Sequence, residues 1–233
     1  MDIELKMRVI AHIHSDFPEK FGIPRQSGIV DELQATVVFE PKYRNPDAFR
    51  GLEGFSHLWL LWQFSACADK DWSPTVRPPR LGGNTRMGVF ATRSPFRPNH
   101  IGLSCVRLLK IDFEIENAPI LHVAGADLMD GTPILDVKPY LPYADSIPDA
   151  TGGFALQSKD DILKVEFPEN LLLKIPEEKR TALLRVLAQD PRPAYQADSE
   201  RVYGFSFAGC TVKFTVENGV LRVCGAEKAN RTV

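Results

Sequence analysis

Five arginines, Arg77, Arg80, Arg86, Arg93 and Arg97, fall within the stretch Arg77–Ser104, RPPRLGGNTRMGVFATRSPFRPNHIGLS, which contains no Asp or Glu. The acid-free run extends from Trp72 to Ile111, where Arg107 and Lys110 bring its cations to seven. The whole chain has a formal net charge of −2, so its field must be strongly asymmetric. Guanidinium groups present planar, bidentate donors that match phosphate and carboxylate oxygens. Pro78, Pro79, Pro95 and Pro98 keep these stretches out of helix, while Gly82, Gly83, Gly88 and Gly102 permit tight turns. A solvated basic face is the plain alternative, but the exclusive use of Arg between residues 77 and 97 favours a gripping surface.

Charge of the opposite sign follows in Asp127–Tyr140, DLMDGTPILDVKPY, which holds Asp127, Asp130 and Asp136. Asp130-Gly131-Thr132-Pro133 has turn chemistry, and taken alone that tetrapeptide reads as a hairpin turn. If the fold brings these acids to the arginines, the pocket suits a zwitterionic or cationic cofactor beside a polyanionic substrate. No Walker A loop, G-x-G-x-x-G or G-x-S-x-G occurs. Ser94 and Ser104 have no His and acid placed beside them by spacing, so nucleophilic hydrolysis has little support. Cys67, Cys105, Cys210 and Cys224 lack C-x-x-C spacing and read as thiols of a reducing compartment. The five histidines form no H-E-x-x-H, and no metal is expected. The charged start and the short apolar run Leu58–Phe64 point to a soluble, cytoplasmic protein with no membrane partner.

The elements that must carry these residues are mainly strands. Met7–Ser15 alternates apolar and polar residues, and His12 and His14 on it read as structural. Ala35–Glu40 is a second strand. Asn45–Leu52 should form one or two helical turns, capped by Asn45 and ended by Gly51. Ser56–Phe64 (SHLWLLWQF) reads as a strand buried on both faces. Strands at Gly88–Thr92, Ile101–Ile115, Pro119–Ala126 and Pro133–Lys138 complete the series. The expected fold is mainly β: a single-sheeted antiparallel β-barrel followed by a small α+β C-terminal domain. The expected division is a barrel over residues 1–145, a linker over 146–159 and the small domain over 160–233. In the latter, Pro176–Gln189 should be helical with Leu183, Val186 and Leu187 as its apolar stripe, and Asp190–Tyr195 should break it. Strands should follow at Val202–Phe207, Thr211–Val216 and Val220–Val223, with Asn218-Gly219 as a hairpin turn.

At RPPRLGG (Arg77–Gly83), GVFATRSPFRPN (Gly88–Asn99), IGLS (Ile101–Ser104), DGTP (Asp130–Pro133) and DVKPYLP (Asp136–Pro142) the chain resembles the TsaA-like family, and within it the TrmO-type tRNA methyltransferases. PRQ (Pro24–Gln26), RGLEGFSHLW (Arg50–Trp59) and LAQDPRPAY (Leu187–Tyr195) fit the same resemblance. It implies an S-adenosylmethionine-dependent enzyme on a single-sheeted barrel, acting as a homodimer on N6-threonylcarbamoyladenosine beside the tRNA anticodon, at position 37. Cofactor contacts carried over are Pro24, Arg25, Gln26, Arg93, Leu103, Asp130, Gly131, Thr132 and Pro133. Ser65 and Ala66 stand where relatives have a His-Gln pair, and are expected to reach the cofactor through backbone. His100 replaces a usual proline, which should leave its loop less constrained.

Methyl transfer to nitrogen is an in-line displacement that depends on alignment, and the urea-type N–H must lose its proton. Asp130 and Asp136 are the catalytic candidates for base or orienting group. Arg77, Arg80, Arg86 and Arg97 are the candidates for gripping tRNA, with Arg86 and Arg97 foremost for the threonyl carboxylate and loop phosphates. Two rival readings are a non-catalytic RNA- or nucleotide-binding barrel and a methyltransferase with a different acceptor. The intact DGTP and PRQ loops argue against the first, and the size of the basic stretch argues against the second.

Overall fold

The computed structural model describes residues 5–78, 81, 84–158, 162–192, 198 and 200–229. Arg80, Pro79, Gly82 and Gly83 of the arginine-rich segment, and residues 193–195 of the Asp190–Tyr195 break, lie outside them. The fold is mainly β, as expected, with two separate apolar cores.

The first core is the inside of a barrel. Its strands are β1 (Ala11–His14), β2 (Gln34–Phe39), β3 (His57–Gln63), then, after the short β4 (Thr75–Val76) and β5 (Met87–Gly88), β6 (Ile101–Asp112), β7 (Ile120–Ala124) and β8 (Pro133–Pro139). They close in the order β1-β2-β7-β6-β3-β8, every pair antiparallel. Closure leaves no edge in this sheet and sends alternate residues inward. Ala11, Ile13, Ala35, Val37, Leu58, Leu60, Val106, Leu121, Val123 and Ile134 fill the interior. Each large aliphatic among them contributes about 1.5–3 kcal/mol by burial.

Three sequence expectations are corrected here. Met7–Ser15 narrows to β1, whose Ala11 and His12 have partners on both β2 and β8. β3 is not buried on both sides: Leu58, Leu60 and Trp62 point inward, whereas His57, Trp59, Leu61 and Gln63 are half-covered. The cover over Trp59 is the strap beyond β8, where α1 (Pro142–Asp145) brings Asp145 Oδ2 to the Trp59 indole N–H at 3.1 Å. Gly88–Thr92 is mostly not a strand. After Gly88 the chain turns through a 3₁₀ segment, Val89–Ala91, because the Thr92 hydroxyl donates to the Val89 carbonyl at 2.8 Å and Val89 is buried. The helical turn after Asn45 forms at Pro46–Phe49, the Asn45 side chain accepting from Asp47 N, and Gly51 at φ 85° ends it.

The second core lies between a four-stranded sheet and a helix. β9 (Lys164–Glu166), the single-turn α2 (Glu169–Leu172) and α3 (Glu177–Ala188) precede β10 (Tyr203–Phe207), β11 (Cys210–Glu217) and β12 (Val220–Lys228). The sheet order is β10-β11-β12-β9, with β9 parallel to β12. Sequence reading had no β9 or α2, and it ended the last strand at Val223. The register shift explains the latter: Phe214 faces Val223 but Lys213 faces Gly225, so Cys224 is a bulge that interrupts the alternation. Asn218 and Gly219, at φ 48° and 76°, make the expected tight hairpin. Leu183, Val186 and Leu187 of α3 are buried as their spacing implied.

One segment joins the two cores. Phe17, Val30 and Leu33, from the connection between β1 and β2, are buried in the second core with Phe205, Phe207 and Phe214. Phe17 meets Phe207 edge-on at 5.2 Å, and Asp16 accepts from Lys179 Nζ at 2.6 Å. Within this segment Gly22 has φ 95°, and a Cβ there would stand 2.4 Å from the Phe205 ring, so only glycine fits.

Candidate active site

The segment between β1 and β2 carries Pro24, Arg25 and Gln26, and its far side is stapled to the barrel rim. Ser27 Oγ accepts from Cys105 N on β6 at 3.1 Å, and Gly28 N donates to the Gly125 carbonyl beyond β7 at 2.9 Å. Gly125 has φ 77°, and a Cβ there would stand 3.3 Å from the Gly28 backbone, so the left-handed angle and the tight approach both favour glycine. The DGTP turn is held just as firmly. Asp130 Oδ1 faces the His14 ring at 3.2 Å and accepts from Ser15 N at 3.1 Å, while Gly131 N donates to the Ile13 carbonyl at 2.8 Å. Thr132 is buried, its hydroxyl donating to the Met129 carbonyl at 2.7 Å.

Between these two loops opens a cleft of about 350 Å³. Pro24, Arg25, Gln26, Ser65, Ala66, Arg93, Leu103 and Thr132 line it, which brings together eight of the residues expected to hold the cofactor. Asp130, Gly131 and Pro133 are not among its lining residues; they form the turn that presents Thr132. Arg93 donates to Gln26 Oε1, tying the arginine-rich segment to the PRQ loop across the cleft. Ser65 and Ala66 sit in a 3₁₀ turn, Ser65–Cys67, at the end of β3. His100, expected to loosen its loop, is instead held: its Nδ1 lies 2.6 Å from the Pro95 carbonyl at φ 45°, a backbone angle that proline cannot adopt.

Residues that sequence reasoning did not assign complete the walls. Trp62, Phe64, Phe96, Ile23 and Met129 make them largely apolar, and Asp127 supplies a carboxyl. Trp62 reaches its place because Gly102 opposes it on β6; a Cβ at Gly102 would stand 2.3 Å from the indole. Its indole N–H donates to Ser104 Oγ at 2.9 Å, and Ser104, fully buried, donates its own proton to Asp127 Oδ1 at 2.5 Å. Thus Gly102 and Ser104 of the IGLS motif position the cleft without lining it. Burial pushes the Asp127 carboxyl above the ordinary carboxylate range; the Ser104 hydrogen bond and the Arg93 charge oppose that rise without cancelling it. The signal that could have identified Asp127 was alternation: Ala126 and Leu128 face the core, so the residue between them faces away.

Asp136 lies elsewhere. On β8 opposite Leu61, its Oδ1 accepts from Val137 N at 2.9 Å and its Oδ2 pairs with Lys138 at 3.1 Å. Of the tRNA-gripping candidates, Arg77 and Arg86 are exposed and have no acidic partner among the described residues. Arg97 is half-buried and donates to the Thr92 carbonyl at 2.8 Å, bracing the loop. A second cavity of about 340 Å³ is lined by His14, Asp16, Gln34, Thr36, His122 and Lys179. Its Lys179 and His14 are already paired with Asp16 and Asp130, and His122 Nε2 is buried without a hydrogen-bond partner among the described residues. Burial, then the Lys110 ammonium, lowers the proton affinity of His122. The four cysteines are free thiols, and the described residues hold no cluster of three or more His, Cys, Asp or Glu side chains suited to a metal. No helix among them is long and apolar enough to cross a membrane.

The chain is similar to known proteins in sequence and fold. Residues 12–146 match the family model of the tRNA-methyltransferase O N-terminal domain, and residues 160–229 that of the TrmO C-terminal domain. A tRNA (adenine(37)-N6)-methyltransferase of Escherichia coli (strain K12) is 48% identical over 199 residues, covering 82% of this chain and 83% of that protein. A protein of the same description from Eikenella corrodens is 47% identical over 166 residues, 71% of this chain and 93% of the relative. The crystal structure of TrmO from Pseudomonas aeruginosa superimposes with a TM-score of 0.77 at 34% identity, covering 96% of this chain and 99% of that one. The chain therefore belongs to the tRNA-methyltransferase O family.

Proposed function

We propose that this chain is an S-adenosylmethionine-dependent methyltransferase acting on N6 of adenosine 37 in tRNA, and that its acceptor is N6-threonylcarbamoyladenosine. The activity named for the Escherichia coli and Eikenella corrodens relatives supports the first part. The observation that carries the reading is the cleft itself, in which one half-buried carboxyl stands among aromatic and polar side chains at the edge of an acid-free, arginine-rich segment. Its size, its aromatic surface and its polar side chains fit a nucleoside-bearing cofactor. Pro24, Arg25, Gln26, Ser65, Ala66, Leu103 and Thr132 would hold that cofactor, with Trp62 and Phe64 as apolar surface. When bound, S-adenosylmethionine supplies a methyl group on a positively charged sulfur.

The chain's own residues then have two tasks. The first is alignment of the acceptor nitrogen, which falls to the cleft walls and to Arg77 and Arg86 outside it. Arg80, outside the described residues, belongs to the same proposed grip, and Arg97 shapes it. The second is removal of the N6 proton. Asp127 is our candidate for this: it lines the cleft, and its raised proton affinity makes it a stronger base than an ordinary carboxylate. Asp130 and Asp136, the sequence candidates for that role, are engaged in holding the DGTP turn and in pairing with Lys138.

The acceptor's threonylcarbamoyl group would matter twice. It withdraws electron density from N6, and its carboxylate gives an arginine a charge-assisted contact of about 1.5–3 kcal/mol. The enzyme is further read as cytoplasmic and as a homodimer, for which the exposed Leu109 of β6 and Phe113 just beyond it offer apolar surface. The division into residues 1–145, 146–159 and 160–233 is part of the same reading, supported by the two cores. The test is transfer of labelled methyl to tRNA purified from cells with and without the threonylcarbamoyl modification. Label should enter position 37 of the modified tRNA alone; equal labelling of both would overturn the acceptor assignment.

A further inference from the structure

The arginine-rich segment leaves three large aromatic side chains in solvent: Phe90 is 74% exposed, Trp72 51% and Phe96 40%. Solvent exposure of three rings within one short region needs a reason, because burying any of them elsewhere would favour folding. None packs on another ring among the described residues, so each keeps a free face.

The three are not scattered on loose loops. β4 and β5 pair Thr75 with Gly88 and Val76 with Met87, which brings the chain before β4 beside the chain after β5. Ser73 N, next to Trp72, donates to the Phe96 carbonyl at 3.1 Å. Val89 N, next to Phe90, donates to the Pro74 carbonyl at 3.0 Å. Backbone hydrogen bonds therefore tie all three aromatic positions into one unit, and Phe96 also lines the cofactor cleft. Arg77 and Arg86 lie on the same unit, and no acid occurs from Trp72 to Ile111.

We propose that Phe90 and Trp72, with Phe96 at the lip of the cleft, form a stacking platform for unpaired bases of the RNA loop that flank the target adenosine. This rests on the tRNA-methyltransferase reading and deepens it. Bases of a single-stranded loop can splay apart and stack on aromatic faces, whereas duplex bases cannot. The surrounding arginines would track the backbone between stacked bases, so the segment divides into cations for phosphate and rings for bases. Charge complementarity selects this occupant over a second copy of the chain, which would have to bring acids to face Arg77 and Arg86.

The test measures tRNA affinity across a salt series, with S-adenosylhomocysteine present, for the wild type and for Phe90→Ala, Phe90→Leu, Phe90→Tyr, Trp72→Ala and Arg86→Ala. Phe90→Ala and Trp72→Ala should each weaken tRNA binding about tenfold. The dependence on salt should keep its slope in both, because a ring displaces no counterion. Arg86→Ala should instead reduce that slope by about 0.7. Phe90→Leu should fail to restore binding although it keeps apolar area, while Phe90→Tyr should restore it. Affinity for S-adenosylhomocysteine should be unchanged in Phe90→Ala. Sedimentation of the same proteins reads their mass. Wild-type tRNA affinity in Phe90→Ala and Trp72→Ala would overturn the platform while leaving the enzyme's function standing. Loss of affinity accompanied by a fall from dimer to monomer would also overturn it and make this face an interface between copies. A wild type that neither binds nor methylates tRNA would remove the functional reading on which the platform rests.

Discussion

A carboxyl set into an apolar chamber is costly to ionise, and Asp127 shows how such a cost can be directed. The Trp62 indole can only donate, so Ser104 Oγ must accept from it, and the one hydroxyl proton of Ser104 then points at Asp127 Oδ1. This chain fixes which oxygen accepts from Ser104. Asp127→Asn keeps the shape and the acceptor for Ser104 but cannot take a proton. We expect kcat to fall by about 10²–10⁴, with little change in affinity for S-adenosylhomocysteine. Stability supplies a second readout. Burial raises the folded-state affinity of Asp127 for its proton, so the folded protein holds more protons than the unfolded chain just above the ordinary carboxylate range. The stability that this proton confers is present at low pH and is lost as pH rises through the raised value. Melting temperatures of wild type and Asp127→Asn, compared across pH, should therefore shift in favour of the variant toward neutrality. A constant offset would show that the carboxyl is not buried in the way described. Residue chemistry was only partly legible in the sequence. The acidic trio was evident, yet choosing among Asp127, Asp130 and Asp136 required knowing that Asp130 folds back on His14 and Ser15, which are distant in sequence.

At the level of elements, β3 and β6 build the cleft between them. Their register sets Trp62 against Gly102, and the missing Cβ gives the indole its place over the neighbouring strand. Gly102→Ala would drive a methyl group into the ring. We expect a loss of about 1–3 kcal/mol, read as a lower urea midpoint, together with weaker cofactor binding as Trp62 leaves Ser104. Gly54→Ala is the control, because a Cβ there meets nothing within 4 Å; an equal loss in both variants would mean that Trp62 packing is not the cause. Period-two alternation made β2, β11 and most of the barrel strands readable in advance. What escaped were the features that alternation cannot encode. A side-chain hydroxyl turned Val89–Ala91 out of a strand, a bulge at Cys224 masked the length of β12, and β9 is too short to show a pattern.

The whole molecule explains why the second unit is there at all. The segment between β1 and β2 buries Phe17, Val30 and Leu33 in the C-terminal core, and pins Pro24–Gln26 to the barrel rim through Ser27 and Gly28. The helix and sheet after residue 160 thus act as a clamp on one wall of the cleft, and the salt bridge of Lys179 with Asp16 reinforces it. Across the cleft stands the arginine-rich segment, tied on by the contact of Arg93 with Gln26. The sequence showed both walls and the charge asymmetry; it did not show that one loop belongs to two cores, since that depends on long-range packing. The cleft between these walls is the proposed cofactor site. The most direct measurement is a crystal structure of the protein with S-adenosylhomocysteine. The ligand is expected between Pro24–Gln26, Ser65-Ala66 and Thr132, with Trp62 and Asp127 in its surroundings; a ligand seated instead in the cavity of His14, His122 and Lys179, or on the outer barrel face, would contradict that assignment.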